Sequence, residues 1–288
     1  MIIKAEHAGF CFGVKRAVDA ISEALRHEPE VWTIGLPIHN PQEVSRLESL
    51  GLRVADNDSQ IPDGAKVLIR AHGEPLEVTE RLKARGVNVE DMTCPFVRKA
   101  QEKAAQLSRE GYHVVLLGDR NHPEIRGIIG HVADNKTAEV VANEDEASRI
   151  QFHAKTALIS QTTQREERLE RVAGILVGKS SELRVCNTIC KATAQRQEAA
   201  RNLVRNNNLD GVVLIGGKSS ANTGKLRDIL ESEGVNVLWA EDENDIEANS
   251  EWFNGKNMVG IAAGASTPEW LIDKITKIIA AKQDLQGD

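Results

Sequence analysis

The sequence repeats one pattern three times, and this repetition restricts the possible folds more than any other feature. In each copy a cysteine closes a short apolar run and is followed by a helical pattern, an apolar strand and a polar turn. The turn comes 28, 28 and 29 residues after its cysteine. The pairs of cysteine and turn are Cys11 with His39, Cys94 with His122, and Cys190 with Ser219. Self-similarity at a fixed period indicates three copies of one structural unit.

A second polar turn follows another apolar strand in each copy. These turns are Ala71-His72-Gly73, Ser160-Gln161-Thr162-Thr163 and Gly264-Ala265-Ser266-Thr267. Short apolar runs between amphipathic helices are typical of parallel sheets covered on both faces. The sequence therefore predicts an α/β fold of three pseudo-threefold-related units with short parallel sheets, at residues 1–94, 95–186 and 187–288, the last with a C-terminal helix. Because ligands bind beyond the carboxyl ends of such strands, the cysteines and turns are expected to meet at one centre.

The apolar pattern also gives the positions of individual elements. It predicts strands at residues 31–34 and 113–117 and a helix at 166–177. A strand at residues 1–5 is expected to open the first unit, and residues 241–250 are expected to form a loose polar stretch.

The composition excludes several classes of protein. The 36 basic and 43 acidic residues give a net charge of −7, and aromatic residues make up 3% of the chain, so nucleic acid is not expected as a partner. There is no apolar run of about 18 residues, so no membrane span is expected, and the interpretation is a cytoplasmic protein. Four cysteines are too few for a disulfide framework in a chain of 288 residues and indicate metal binding or catalysis.

The three cysteines in register predict a metal centre. Thiolates of Cys11, Cys94 and Cys190 facing one point favour a soft metal, which is either zinc with a fourth ligand or an iron–sulfur cluster. Cys186 lies outside the register and is either a local fourth ligand or a buried strand residue. If Cys186 is not a ligand, a four-iron cluster held by three cysteines keeps one iron open to substrate, as catalytic metal sites do.

The polar turns predict an anion site around that centre. They supply His39, His72, His122, Glu124, Thr162, Ser219, Ser220, Asn222 and Ser266. Imidazolium groups, hydroxyls and helix-start amides suit a diphosphate, even in an acidic protein. Glu124 is the only carboxylate in these turns, so it is the expected proton donor. Two structural alternatives are that the hydroxyls of Thr162 and Thr163 cap the helix at 166–177, and that Glu124 caps its own helix or pairs with Arg126.

At the level of motifs, nearly the whole chain resembles the 4-hydroxy-3-methylbut-2-enyl diphosphate reductase family. The motifs that carry the resemblance are Gly9-Phe10-Cys11-Phe12-Gly13-Val14, Ile38-His39-Asn40, Ala71-His72-Gly73, Asp91-Met92-Thr93-Cys94-Pro95, His122-Pro123-Glu124, Gln161-Thr162-Thr163, Thr188-Ile189-Cys190-Lys191-Ala192-Thr193, Arg196-Gln197 and Ala263-Gly264-Ala265-Ser266.

The resemblance implies a three-lobed fold around an oxygen-sensitive [4Fe–4S] cluster. Its implied ligands are Cys11, Cys94 and Cys190, with one iron open to the substrate hydroxyl. The implied reaction is the last step of the methylerythritol phosphate route to isoprenoids. It removes the allylic hydroxyl with two electrons and two protons and gives isopentenyl diphosphate, dimethylallyl diphosphate and water. The implied partner is an electron donor such as ferredoxin or flavodoxin.

The resemblance also implies roles for the residues in the turns. The residues expected to hold the diphosphate are His39, His72, His122, Ser220, Asn222 and Ser266. Thr162 would lie near the substrate hydroxyl, and Glu124 would deliver protons. The chain departs from the family at Ala221, where the family usually has serine. The hydroxyl contact of that serine is absent here, and only the backbone amide of Ala221 remains available.

Two other functions are compatible with the same residues. An iron–sulfur dehydratase would also use an open iron, but it would need no external electrons. A non-enzymatic cluster-based redox sensor would need the cysteines, but it would have no use for a diphosphate pocket.

Overall fold

The computed structural model describes residues 1–133 and 138–284, which form an α/β fold. Twelve strands, β1 to β12, are Ile2–Lys4, Val31–Ile34, Leu52–Ala55, Lys66–Ile69, Asn88–Asp91, His113–Leu117, Ala138–Val141, His153–Ser160, Ser180–Cys186, Gly211–Ile215, Val237–Ala240 and Val259–Ala263. Eleven helices, α1 to α11, are Phe12–His27, Pro41–Ser49, Leu76–Ala84, Pro95–Arg109, Pro123–Ile129, Glu144–Ser148, Glu166–Val177, Lys191–Arg205, Ala221–Ser232, Glu243–Ala248 and Glu269–Asp284.

The strands form three parallel sheets with one common order. The first sheet is β3-β2-β4-β5, the second is β7-β6-β8-β9 and the third is β11-β10-β12-β1. In the first and second sheets the chain continues to opposite edges from the two central strands, which are β2 and β4 in the first sheet and β6 and β8 in the second. The corresponding central strands of the third sheet are β10 and β12. This divergence is a topological switch point, where α/β sheets bind ligands at their carboxyl ends. The expectation of three similar α/β units is confirmed.

The chain divides into two compact units. The terminal unit comprises Met1–Lys15, Ile38–Leu50 and Lys191–Asp288, and it contains the third sheet. The central unit comprises Arg16–Pro37 and Gly51–Cys190, and it contains the first and second sheets.

The central strands are buried on both faces, which explains their continuous apolar sequence. In β10, Val213 and Ile215 pack into one cluster with α11, while Val212 and Leu214 pack into the opposite cluster with α8 and α9. β6 alternates in the same way between two clusters of the second sheet. Side chains of a strand point alternately to the two faces, so a strand between two helical layers needs an apolar residue at every position.

The loose polar stretch of the sequence contains a short helix. Within residues 241–250, Glu243–Ala248 form α10. Asp242 caps this helix, because its side chain accepts hydrogen bonds from the amides of Asn244 and Asp245. An aspartate followed by acidic residues in the first turn is a typical signal for the start of a helix, and this stretch contains it.

The first strand pairs with the end of the chain. β1 was expected to open the first unit, but Ile2, Ile3 and Lys4 lie in register with Val259, Gly260 and Ile261 of β12. Nothing in the local sequence of a three-residue strand selects its partner, which is separated from it by more than 250 residues. Each sheet consequently ends in a strand that leads directly to one of the three register cysteines.

We predict that Ala5→Pro destabilises the third sheet. The Ala5 amide donates a hydrogen bond of 2.7 Å to the Ile261 carbonyl, and proline has no N–H. Loss of this bond should lower the free energy of unfolding by about 1–3 kcal/mol, measured by urea denaturation under anaerobic conditions. Ala5→Gly keeps the donor and is the control. Equal midpoints for the proline variant and the parent would contradict the pairing of β1 with β12.

Candidate active site

The three register cysteines are held by the same backbone hydrogen bond. The amides of Cys11, Cys94 and Cys190 each donate to a carbonyl at 3.0 Å. The acceptors are Ala265, Ala71 and Thr162, respectively, and each belongs to the second polar turn of its sheet. Each cysteine also immediately precedes a helix or caps it, the helices being α1, α4 and α8. Three chain-distant cysteines therefore occupy one equivalent position at the carboxyl end of a sheet.

The loop before Cys94 is fixed by Asp91. Its carboxylate accepts a hydrogen bond of 2.8 Å from the Thr93 amide and one of 2.9 Å from Arg98. Partial burial raises the pKa of Asp91, but the hydrogen bonds from Thr93 and Arg98 outweigh it, so the pKa lies below its usual range. Because the folded-state pKa is lowered, this stabilisation is present above about pH 4 and is lost on acidification.

The loop before Cys190 is fixed by Thr188. The buried Thr188 hydroxyl donates to the Ser160 carbonyl at 2.5 Å and accepts from the Ser160 amide at 3.0 Å. One side chain thus satisfies both backbone groups at the end of β8 and joins that strand to the segment that carries Cys190.

The loop around Cys11 offers donors to sulfur. The amide of Val14 lies 3.5 Å from the Cys11 sulfur, within the range for an N–H···S hydrogen bond. The buried Arg196 guanidinium donates to the Gly9 carbonyl at 2.8 Å and anchors the loop to α8. The sulfur of Cys11 therefore lies at the start of α1, within reach of a backbone donor.

Cys186 has a different environment. It is the last residue of β9 and packs against the apolar cluster of the second sheet. Burial raises the pKa of its thiol, which disfavours the thiolate. Of the two alternatives, the strand residue agrees with these surroundings.

Glu124 and Thr162 form a buried pair at the switch point of the second sheet. Glu124 is 2% exposed, and its carboxylate accepts a hydrogen bond of 2.6 Å from the Thr162 amide and one of 2.9 Å from the Thr162 hydroxyl. Thr162 does not cap α7, because the N-cap position belongs to Arg165. Glu124 does not cap α5 either, since the N-cap is His122. A carboxyl group and a hydroxyl group are therefore hydrogen-bonded to each other at the position where α/β proteins bind ligands.

Two histidines lie beside this pair in the central unit. The His122 ring accepts the Glu124 amide through Nδ1 at 3.2 Å, which fixes the proton of this imidazole on Nε2 if the ring is neutral. The His72 ring meets His122 edge to face, with ring centroids 5.3 Å apart. The structure thus brings His72, His122, Glu124 and Thr162 together.

The terminal unit gathers the other predicted turn residues. The Ser266 hydroxyl donates to the His39 carbonyl at 3.2 Å, and Ser220 caps α9 by accepting the Thr223 amide at 3.3 Å. Asn222 is 8% exposed, and both polar atoms of its side chain are buried without a hydrogen-bond partner among the described residues. A buried amide in this state is a mark of a ligand site. Ser219 is exposed, so it is less suited to binding than its neighbour Ser220.

Glycines make the close approach of these loops possible. A Cβ atom on Gly217 would collide with the His39 carbonyl, and one on Gly264 would collide with the Thr223 hydroxyl. The strand-end loops that present Ser220, Asn222 and Ser266 therefore require glycine at these two positions.

The three register thiols are a donor set that suits a soft metal centre. In the described chain none of the four cysteines forms a disulfide, and the three register cysteines are partly exposed at helix starts. Thiolates are the ligands that iron–sulfur clusters and zinc both accept.

The fold and these residues define a class, namely an α/β protein with three equivalent thiols and polar switch-point turns. The family model described as LytB protein matches residues 2–280. The chain belongs to the LytB protein family.

Relatives of known name match almost the full chain. A protein of Aquifex aeolicus (strain VF5) named 4-hydroxy-3-methylbut-2-enyl diphosphate reductase is 43% identical over 276 residues, which cover 95% of this chain and 94% of the relative. One of the same name from Geobacter sulfurreducens (strain ATCC 51573 / DSM 12127 / PCA) is 42% identical over 278 residues, which cover 96% of each chain.

Two solved structures match the fold. One, described as (E)-4-hydroxy-3-methyl-but-2-enyl diphosphate reductase, the terminal enzyme of the non-mevalonate pathway, is 42% identical with a TM-score of 0.72, covering 97% of this chain and 99% of that one. The other, E-1-hydroxy-2-methyl-but-2-enyl-4-diphosphate reductase from Plasmodium falciparum, has a TM-score of 0.88 at 24% identity, covering 96% and 87%. The second likeness concerns the fold alone.

Sequence reasoning gave no role to Asp91 or Thr188. In an Asx-turn, the side chain of an aspartate accepts a hydrogen bond from the amide two residues later. Asp91 and Thr93 have this spacing, so the turn could have been predicted from the sequence. The role of Thr188 could not have been predicted, because its partner Ser160 is 28 residues away at the end of β8.

We predict that Thr188→Val weakens the attachment of the Cys190 loop. Valine has nearly the same shape but cannot bond either backbone group of Ser160, so unfolding should become easier by about 1–3 kcal/mol. Iron retained after timed exposure to a chelator should also fall below that of the parent. Thr188→Ser keeps the hydroxyl and should behave like the parent. If the valine variant keeps both stability and iron, the Thr188 hydroxyl does not hold this loop.

Proposed function

We propose that this LytB family protein reduces 4-hydroxy-3-methylbut-2-enyl diphosphate. The carbon–oxygen bond of the allylic hydroxyl breaks, and two electrons and two protons are consumed. The products are isopentenyl diphosphate, dimethylallyl diphosphate and water. The proposal is supported by the names of relatives that match nearly the full chain and by the buried pair of Glu124 and Thr162, which supplies proton-transfer chemistry at a strand-end site.

The electrons require a redox group, and the chain offers Cys11, Cys94 and Cys190 to hold it. A [4Fe–4S] cluster on three thiolates supplies electrons and an iron that lacks a protein ligand. The contribution of the protein is to fix the thiols, which it does through the three equivalent backbone hydrogen bonds. An electron donor such as ferredoxin or flavodoxin belongs to the same proposal.

The diphosphate is bound by residues of the polar turns. These are His39, His72, His122, Ser220, Asn222 and Ser266. The net charge of −7 does not favour an anion, so the local donors must stabilise it. The buried Nδ2 group of Asn222 has no partner among the described residues, and an anionic oxygen would accept its hydrogen bond. Asn222 lies in the first turn of α9, and helix starts favour phosphate groups through their backbone amides and dipole.

Glu124 and Thr162 deliver the proton that the departing oxygen needs. Expulsion of hydroxide is unfavourable, so a donor within hydrogen-bond reach accelerates the step. The Thr162 hydroxyl lies 2.9 Å from the Glu124 carboxylate. With Glu124 protonated, the hydroxyl gives its proton to the leaving oxygen as it receives one from the carboxyl group. Burial of both residues excludes water that would compete for this proton.

The experiment that tests the function is anaerobic turnover with and without a reductant. Substrate should be consumed only with the reductant, two electrons should be used per diphosphate, and both isomeric products should appear. Consumption without electrons would instead identify a dehydratase. Failure to bind the diphosphate at all would favour the redox sensor.

We predict that serine at any register cysteine abolishes the cluster. Cys11→Ser, Cys94→Ser and Cys190→Ser should lose cluster absorption, iron and sulfide after anaerobic reconstitution, because an alkoxide is a poor ligand for iron in this setting. Cys186→Ser is the matched control and should retain the cluster. Cluster loss in the Cys186 variant would indicate a site closed by four thiolates, and an iron open to substrate would then be wrong.

We predict that Glu124→Gln blocks proton delivery without unfolding the protein. Glutamine keeps the size of the side chain and can still accept the Thr162 amide, but it is not an acid. Turnover should fall at least about a hundredfold while cluster content and substrate affinity stay near those of the parent. Thr162→Ser, which retains the hydroxyl, should stay far more active than Thr162→Val. Near-parent turnover of the glutamine variant would mean that Glu124 is structural.

A further inference from the structure

A second group of metal-ligating side chains lies at the opposite ends of the second sheet. His113 is the first residue of β6, His153 is the first residue of β8, and Glu139 is the second residue of β7. Their ligand atoms lie within 4.8 Å of one another. Glu124 and Thr162 follow the carboxyl ends of β6 and β8, so the new group is separated from them by the length of the strands.

In the described chain the Nε2 atoms of both imidazoles lack a hydrogen bond, and that of His113 meets Glu139 only at ion-pair distance. The Nε2 atoms of His113 and His153 are both buried and have no hydrogen-bond partner among the described residues. Glu139 Oε1 is 3.3 Å from His113 Nε2, but it does not meet the geometry of a hydrogen bond. The side chain of His113 is 9% exposed, so solvent does not readily substitute for a partner. Buried polar atoms without partners are uncommon in folded proteins and call for an explanation.

The two imidazole rings are stacked beside a cavity. The centroids of the His113 and His153 rings are 3.7 Å apart, and the ring planes differ by 7°. In this arrangement the in-plane lone pairs run side by side, so shared binding of one ion requires one ring to rotate. His153 is partly exposed at the start of its strand, and a cavity of about 450 Å³ borders both rings and is also lined by Tyr112 and Lys155, so we infer that His153 is the ring that rotates.

We propose that His113, Glu139 and His153 bind a divalent transition-metal ion of the zinc class. Two imidazoles and one carboxylate are the donor set that zinc and its neighbours prefer, whereas calcium and magnesium prefer oxygen ligands. The adjoining cavity leaves space for a water molecule as the fourth ligand. The ion would replace the missing partners of both Nε2 atoms.

Such an ion would join three neighbouring strands of one sheet. β6 lies between β7 and β8, and each strand contributes one ligand at or near its amino end. The ion stabilises the folded state because the unfolded chain does not bring the three ligands together. Its role is structural, and it requires neither the cluster nor the proposed reaction.

Zinc binding to the cluster-loaded protein under anaerobic conditions tests the proposal. The cluster occupies the cysteines, so competition with a chromophoric chelator reports the remaining sites. We expect one tightly bound zinc per chain and a rise in the unfolding temperature with zinc but not with magnesium. His153→Gln and Glu139→Gln alter partly or fully exposed ligands, so neither is expected to prevent folding. Each should weaken zinc binding at least about tenfold and remove the thermal shift.

The controls assign the ion to this group. His27→Gln changes an exposed histidine that pairs with Glu23 but has no second imidazole beside it, and it should bind zinc as the parent does. The proposal is overturned if the parent binds no tight zinc, or if His153→Gln and Glu139→Gln bind it unchanged. It is equally overturned if the zinc is lost in His72→Gln and kept in the other two variants, because the ion then belongs to the proposed diphosphate site.

Discussion

The repeated hydrogen bond from a cysteine amide to a strand-end carbonyl is the constraint on which the candidate site depends. Cys11, Cys94 and Cys190 each use it at 3.0 Å, and each cysteine follows the edge strand of a four-stranded sheet. The bond fixes the backbone of each cysteine immediately before the start of the following helix. One local backbone arrangement is thus used three times. Cys186, which is the last residue of β9 and precedes no helix directly, does not share this arrangement.

The polar chemistry of the site has a related physical origin. In the first and second sheets the loops that follow the two central strands lead to opposite edges, so they separate and leave a gap between them. Polar groups in this gap lie where α/β sheets bind ligands. In the second sheet this position holds Glu124 and Thr162, and in the third sheet the loops hold Ser220, Asn222 and Ser266. Their burial strengthens each hydrogen bond but makes an unsatisfied group costly. Asn222 has both polar side-chain atoms in that condition among the described residues, and the proposed diphosphate would supply an acceptor for its Nδ2 group.

Much of this arrangement could be predicted from the sequence, because the informative signals are local. β2, β6 and α7 have the predicted bounds, since continuous apolar runs and helical periodicity are properties of neighbouring residues. The spacing of cysteines and turns predicted three similar sheets. What could not be predicted depends on pairing across the chain. The register of β1 with β12 and the bond of Thr162 to Glu124 join residues far apart in sequence, so no local pattern encodes them.

No helix in the described residues has the length and apolar composition to cross a bilayer.

The central claim is that the three register cysteines hold an iron–sulfur cluster rather than a single ion. Counting iron and acid-labile sulfide in anaerobically prepared protein tests this claim most directly. We expect about four irons and four sulfides per chain, with absorption in the visible range that a reductant bleaches. A preparation with no sulfide and at most about one metal ion at these cysteines, unchanged by reconstitution with iron and sulfide, would contradict it.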